Sequence, residues 1–190
     1  MIFVYHNNAK IVAVENGEEE SLPFPVSCNI AEGLWLLAQD FEEETLIWSH
    51  SDYKEILNKE QLNTLFHHKK MMLSYNTSDV TFLDSTIGYV DTSLFASINK
   101  EASFPTWQMS AAVGCIHSEV LLALNNAIPF DADFDYFLCS LAKLSMPKGL
   151  LCYSEPRLLK KRTNSVRVKT NFHTLFRFVK QHYKTHWVFL

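Results

Sequence analysis

Short hydrophobic runs alternate with polar, helix-spaced segments along the first half of the chain. Two β-rich runs, residues 1–6 and 11–16, flank the turn-forming sequence NNAK and predict a hairpin. Asn29 stands as an N-cap before residues 30–41, whose apolar positions recur at helical spacing. The segments that follow predict a strand at residues 45–50, a helix at 53–68 and a strand at 70–76. This order of elements predicts an α/β fold with parallel neighbouring strands.

The second half predicts the same kinds of element in a less regular order. Residues 87–99 predict a strand that leads into a short helix, and residues 105–116 predict a buried strand or a strand and turn. The remaining predicted elements are helices at 117–126 and 134–146, a strand at 149–155, and a helix that begins near residue 171.

Composition narrows the class of protein. With 190 residues and 47% hydrophobic content, the chain can bury one substantial core. Its 5 glycines form neither a GxGxxG nor a GxxxxGK[ST] phosphate loop. The 4 cysteines form no CxxC pair and are typical of buried free thiols. No signal-peptide pattern and no run of about 18 apolar residues occurs, so we expect a cytoplasmic protein.

Charge is distributed unevenly along the chain, whose net charge is −4. Residues 1–155 carry all 21 acidic residues and eight basic ones, whereas residues 156–190 carry nine basic residues and no acidic ones. The acidic body argues against nucleic-acid binding. The tail predicts a basic amphipathic helix, which either packs on the domain or lies on an anionic membrane surface. Because the sequence stops within the hydrophobic stretch HWVFL, we expect a further domain beyond Leu190.

The sequence IPFDADFDYF places Asp131, Asp133 and Asp135 at alternate positions. Such carboxylates bind a divalent cation when they follow a buried strand. Here they follow a proline and precede helical spacing, and acidic side chains in a first turn stabilise a helix by about 0.3 to 1 kcal/mol each. The pattern therefore favours the start of a helix over a metal site.

Other candidate residues are few. His50 and His117 each follow an apolar strand-like run, where α/β proteins place functional side chains, although a structural histidine is the alternative. Trp107 and Gln108 combine a flat ring with an amide and suit either a sugar or the core. The chain contains neither a GxSxG nor an HExxH motif, so hydrolase chemistry has no support.

Two stretches, PTWQMSAAVGCIHSEVLLAL and IPFDADFDYFLCSLAKLSMPKGLLCYSEPRLL, resemble the second half of the GT-A fold of family 2 glycosyltransferases. Gly114 matches the small residues at the end of a strand, and Phe130, Asp131 and Phe134 match a Phe-Asp-x-x-Phe turn. Gly149 matches the glycine before the last strand. The whole chain looks like the N-terminal region that precedes a second glycosyltransferase domain in some long bacterial proteins.

This resemblance implies an architecture. Residues 1–160 would form a GT-A-like three-layer α/β sandwich, with a mixed, mostly parallel sheet and a reduced N-terminal nucleotide-binding half. Residues 161–190 would form the basic tail helix and lead into a C-terminal catalytic domain of the same protein.

The resemblance also implies site residues. Asp133 or Asp135 would be the catalytic base, and His50 and Asp52 would lie near a nucleotide-sugar donor. The acceptor would contact residues Trp107, Gln108 and His117. The family's metal-binding Asp-x-Asp is reduced to one carboxylate in LIWSHSD, so no metal ligand is assigned, and an intact donor site would imply Mg²⁺ or Mn²⁺.

Two functions follow from these expectations. The first is sugar transfer from a nucleotide-diphosphate sugar to a glycan or lipid-linked acceptor, as in a hexosyltransferase. The alternative is a degenerate, non-catalytic module that binds a glycan or positions a neighbouring catalytic domain. The missing second carboxylate in LIWSHSD favours the alternative.

Overall fold

The structure is a computed structural model. It describes residues 1–25, 28–78, 80–83, 99–124, 128, 130–131, 133–161, 163 and 170–183. The strand and helix predicted for residues 87–99 therefore lie outside the described residues, apart from Asn99.

Seven strands of the described residues form one mixed sheet in the order β2-β1-β3-β6-β4-β7-β5. Their bounds are β1 Ile2–Asn7, β2 Lys10–Asn16, β3 Thr45–His50, β4 Met71–Tyr75, β5 Phe104–Pro105, β6 Val113–His117 and β7 Leu151–Ser154. The predicted N-terminal hairpin is present as β1 and β2, which turn at Asn8 and Ala9 with positive φ angles. The α/β class and the mixed sheet are confirmed.

The expectation of a mostly parallel sheet is wrong. Only the β1/β3 and β4/β7 pairs are parallel among the strand pairs of the described residues, and the other four pairs are antiparallel. Strands β3 and β4 do point the same way, as the sequence order predicts. Strand β6 lies between them and runs against both, and sequence order alone gives no sign of this insertion.

Helices cover the sheet on both faces. The α-helices are α1 Ile30–Asp40, α2 Leu62–Leu65, α3 Ser118–Ala123, α4 Phe134–Ser145 and α5 Phe172–His182. The predicted cap of α1 is present, where Asn29 accepts a hydrogen bond from the Ala31 amide. The predicted helix start at the aspartates is present as α4, and the structure adds its cap, since Asp133 accepts from the Tyr136 amide. The helix predicted over residues 53–68 is broken into 3₁₀ turns at Ser51–Ile56 and Lys59–Gln61, followed by the short α2.

Two hydrophobic cores flank the sheet. One contains alternate side chains of β1 and β3, including Val4 and Trp48, together with the buried faces of α1, α3, α4 and α5. The other contains the opposite side chains, including Tyr5 and Ile47, together with α2 and the 3₁₀ turns. Because successive strand side chains point to opposite faces, the sheet separates the two cores. The fold therefore has three layers, with the sheet in the middle.

The tail helix α5 belongs to the first core. Leu175, Phe178 and Val179 are buried there, and the ring of Phe178 stacks on that of Trp107 at 5.2 Å between centroids. Arg177 on the other side of α5 forms an ion pair with Asp131, with Nη2 and Oδ2 2.6 Å apart. The Leu175 and Val179 side of the apolar face is thus packed within the first core, whereas Phe172 is exposed.

Candidate functional site at the carboxyl edge of the sheet

The carboxyl ends of β1 and β3 lie side by side. These strands are parallel, and their register pairs Tyr5 with Ser49 and His6 with His50. His50 therefore ends β3, and His6 lies one residue before the end of β1, at the same edge and on the same face. Their rings meet edge to face, with centroids 5.5 Å apart. Ligands of α/β proteins bind at this edge, because the strand ends open there into loops.

His50 connects β3 to the 3₁₀ turn that follows. Its Nδ1 atom accepts a hydrogen bond from the Asp52 amide at 3.3 Å and lies 3.4 Å from the Asp52 carboxylate. The amide contact requires a bare Nδ1, whereas the carboxylate contact requires a protonated one. The two contacts therefore require different positions of the proton on the ring. The His50 side chain is 28% exposed and that of Asp52 is 78% exposed, so both reach solvent.

His6 is buried directly beneath this position. Its Nε2 atom lies 2.8 Å from the carbonyl oxygen of Ala111, and because that oxygen only accepts, Nε2 must carry the proton. Nδ1 is then a bare acceptor, and it has no hydrogen-bond partner among the described residues. Burial lowers the pKa of His6 to about 4, so the imidazole is neutral near pH 7.

The start of α4 reaches the same edge. The Oδ1 atom of Asp135 accepts a hydrogen bond from the Ala111 amide at 2.8 Å. The Ala112 carbonyl accepts one from the His50 amide, also at 2.8 Å. Ala111 and Ala112, which directly precede β6, therefore hydrogen-bond to His6, His50 and Asp135. The ring of Phe134 packs edge-on against that of His6 at 5.5 Å and so fixes the start of α4 above β1.

The three aspartates of IPFDADFDYF have different roles in this arrangement. Asp133 caps α4 through the Tyr136 amide. Asp131 accepts from the Asp133 amide at 2.9 Å and pairs with Arg177. Asp135 accepts from Ala111, in the segment that also hydrogen-bonds to His6 and His50. The structure thus separates one of the two predicted base candidates, Asp135, from the helix cap Asp133.

The predicted acceptor residues lie elsewhere. Trp107 is buried between Phe178 and the Lys143 ammonium, which sits 4.6 Å from the ring centroid. The backbone amide of Gln108 donates a hydrogen bond to the Thr106 hydroxyl. The side-chain oxygen of Gln108 is buried without a hydrogen-bond partner in the described part of the chain. His117 is buried at the opposite edge, where it pairs with Thr45 and caps α3 through the Glu119 amide.

Sequence reasoning did not select His6. A signal was present, because MIFVYH and TLIWSH are both apolar runs that end in histidine. Only the parallel pairing of β1 with β3 makes the two histidines neighbours. In the sequence alone, each of the two histidines resembles an ordinary structural residue.

The donor set does not suit Mg²⁺ or Mn²⁺, which prefer several oxygen ligands. Asp52 is the one carboxylate near His50 in the WSHSD segment, and no group of three or more metal-binding side chains occurs within the described ranges.

Comparisons of the chain with protein-family models, with curated proteins and with solved structures gave no significant match. Every helix in the described part of the chain is too short or too polar to cross a membrane.

Proposed function

We propose that this chain is a glycosyltransferase domain that binds a nucleotide-diphosphate sugar at the carboxyl edge of β1 and β3. The observation that carries the proposal is the meeting of Asp135, His6 and His50 around Ala111 and Ala112. The resemblance assigned the base to the start of this helix and the donor to the end of β3. These two regions are far apart in sequence and adjacent in space.

The order of elements in the second half supports the same proposal. Strand β6 contains Gly114, and α3 follows it. The Phe130 and Asp131 turn then precedes α4, and Gly149 precedes β7. This order of elements agrees with the resemblance to the GT-A fold, except that Gly114 lies near the start of β6 and not at its end. That the chain has the GT-A fold itself is part of the proposal.

In the proposed reaction Asp135 accepts the proton of an acceptor hydroxyl while that oxygen attacks the anomeric carbon of the donor sugar. The bond from the anomeric carbon to the diphosphate breaks, and its electron pair leaves with the diphosphate. His50, when protonated, donates a hydrogen bond to the departing charge. His6 remains neutral and positions the Ala111 segment that orients Asp135.

A second candidate function is a non-catalytic module that positions a neighbouring catalytic domain or binds a glycan. The observation that favours it is that Asp133 and Asp135 each accept a backbone amide hydrogen bond. Both carboxylates therefore have a structural role that requires no substrate.

Calorimetric titration of the chain with uridine and guanosine diphosphate sugars, with and without Mn²⁺, tests donor binding. We expect binding in the intact chain and at least about tenfold weaker binding in His50→Ala, because a charge-assisted hydrogen bond is worth about 1.5 to 3 kcal/mol. His173→Ala is the matched control, since His173 is an exposed residue of α5. Failure of every donor to bind would remove the proposal.

Turnover separates the two candidate functions. Asp135→Asn keeps an oxygen for the Ala111 amide but removes the base. If Asp135 is the base, this variant binds the donor with unchanged affinity and loses donor turnover by a factor of about 100 or more. Donor turnover that is equal in the variant and the parent would remove Asp135 from the reaction. Glycan binding without affinity for nucleotide sugars would favour the non-catalytic module.

A further inference from the structure

A cavity opens at the edge of the sheet opposite to His6 and His50. It has a volume of about 310 Å³ and lies where β4 and β7 begin, beside α3 and the end of α4. This volume is at the lower end of the range for small-molecule pockets, which is about 300 to 1,000 Å³. Since β4 has five residues, this cavity is about 16 Å away from the carboxyl edge along the strands.

The cavity is apolar on one side and has charged residues at its rim, which include the carboxylate of Glu119. Its apolar lining comes from Val120, Ala123, Leu124 and Leu150. Its rim carries three lysines, which are Lys69, Lys70 and Lys148.

The three lysines are not equivalent. The Lys69 ammonium contacts the carboxylates of Glu43 and Glu119, so its charge is already compensated. Lys70 and Lys148 are exposed, and neither has an ion-pair partner within the part of the chain that the structure describes. They leave an excess of positive charge at the mouth of the cavity.

A buried hydroxyl lies in the same cavity. Ser145 ends α4, is 4% exposed and lines the cavity. Its Oγ atom has no hydrogen-bond partner among the described residues. A buried polar group without a partner costs free energy, and a ligand oxygen would remove that cost. Gly149 stands at the mouth with a φ of 98°, a left-handed conformation that favours glycine, and the space beside it is open.

We propose that this cavity binds a small organic anion with an apolar group, such as a phosphate monoester of an aromatic or aliphatic alcohol. The apolar group contacts the Val120 and Leu150 side, Ser145 Oγ donates a hydrogen bond to an anion oxygen, and Lys70 and Lys148 neutralise the charge. This site is independent of the proposed sugar transfer, because it lies at the opposite edge of the sheet.

Titration of the ¹⁵N-labelled 190-residue chain with phenyl phosphate tests the proposal. We expect saturable shifts of the amide signals of Ser145, Gly149 and Leu150, with the signals of His50 and Asp52 unchanged. Benzyl alcohol supplies the apolar group without the charge, and inorganic phosphate supplies the charge without the apolar group. Both should bind at least about tenfold more weakly than phenyl phosphate.

Variants locate the contacts. Lys70→Gln combined with Lys148→Gln should weaken phenyl phosphate binding at least about tenfold, and Ser145→Ala should weaken it about fivefold. Lys180→Gln, which changes an exposed lysine of α5, is the matched control and should leave the affinity unchanged.

Three results would overturn the proposal. They are the absence of saturable shifts around Ser145, equal affinity for phenyl phosphate and benzyl alcohol, and unchanged affinity in the double lysine variant. Shifts confined to His50 and Asp52 would place the anion at the sugar-transfer edge and would also overturn it. Loss of donor binding at His50 leaves this second site unaffected, so the two proposals fail separately.

Discussion

At the scale of single residues, His6 differs most from what its residue type suggests. A histidine at the end of a strand usually reaches water, but this one is 3% exposed and donates to the Ala111 carbonyl. Because burial disfavours the charged ring, its pKa falls to about 4 from an ordinary value of 6.5. His6 is thus a neutral hydrogen-bond donor that fixes the segment before β6.

The lowered pKa of His6 predicts a pH dependence of stability. Between pH 6.5 and 4 the unfolded chain binds a proton at His6 that the folded chain does not, so stability is complete above pH 6.5 and falls as the pH falls. From pH 7 to pH 5 this loss amounts to about 2 kcal/mol for His6. Urea unfolding at both pH values measures it.

His6→Gln should reduce this pH dependence, because glutamine can still donate to the Ala111 carbonyl but does not titrate. Burial and the neighbouring Lys143 also lower the pKa of His182 to about 4, so part of the slope should remain. His173→Ala changes an exposed histidine and should preserve the full slope. An unchanged slope in His6→Gln would show that His6 is not the group responsible.

At the scale of elements, the start of α4 combines a cap with the candidate site. Asp133 accepts from the Tyr136 amide, and Asp135, two residues later, accepts from the Ala111 amide outside the helix. An isolated helix would give Asp135 the same modest role as any acidic residue in a first turn. The contact with Ala111 arises only because α4 packs against the end of β1 through Phe134.

Substitutions of Asp133 should distinguish its role as a helix cap from an effect of its charge. Asp133→Ala should lower the free energy of unfolding by about 1 kcal/mol, because it removes the cap, whereas Asp133→Asn keeps an acceptor and should change it by a few tenths. Chemical unfolding of both variants measures the difference. If the two variants were equally destabilised, charge and not capping would explain the role of Asp133.

Gly114 of β6 allows the Trp48 ring of β3 to lie close to the β6 backbone. A side-chain carbon on Gly114 would lie 2.2 Å from Cζ2 of Trp48 and 2.4 Å from the Leu73 carbonyl oxygen. The Trp48 ring therefore crosses β6 where β6 has no side chain. This contact gives a physical reason for one of the residues that carries the family resemblance.

Gly114→Ala should destabilise the fold by about 1 to 3 kcal/mol or more, because neither the buried ring nor the backbone oxygen can move freely. Gly17→Ala is the matched control, since its side-chain carbon would meet only the Met1 carbonyl oxygen at 3.8 Å. Thermal and urea unfolding of the two variants provide the test. Similar stability of both would mean that β3 and β6 adjust without cost.

At the scale of the whole molecule, the sheet and the tail helix share one core. Phe178 of α5 is fully buried against Phe82, Trp107 and Tyr136. Arg177 pairs with Asp131, just before the start of α4. The basic tail therefore stabilises the acidic body through both apolar contact and charge.

Phe178→Ala should lower the free energy of unfolding by about 3 to 5 kcal/mol, because it opens a cavity in this core. Phe172→Ala in the same helix should change it by less than about 0.5 kcal/mol, since Phe172 is 54% exposed. Equal and small effects of the two variants would mean that α5 does not depend on its packing against the body.

The sequence by itself determined the local elements with clear patterns. Short hydrophobic runs and turn residues located β1, β2, β3 and β4, and helical spacing located α1, α4 and α5, with a predicted cap at α1. These signals are local, because caps and periodicity depend on residues a few positions apart. The break of residues 53–68 into 3₁₀ turns was missed, since tertiary contacts override weak helical spacing.

Only the tertiary structure decided how those elements meet. It placed β6 between β3 and β4, brought His6 beside His50, and directed Asp135 to Ala111. It also moved His117 to the opposite edge, buried Trp107 under α5, and opened the cavity around Ser145. These features depend on contacts between residues that are distant in the chain, and hydrophobic periodicity specifies which face is buried but not which partner covers it.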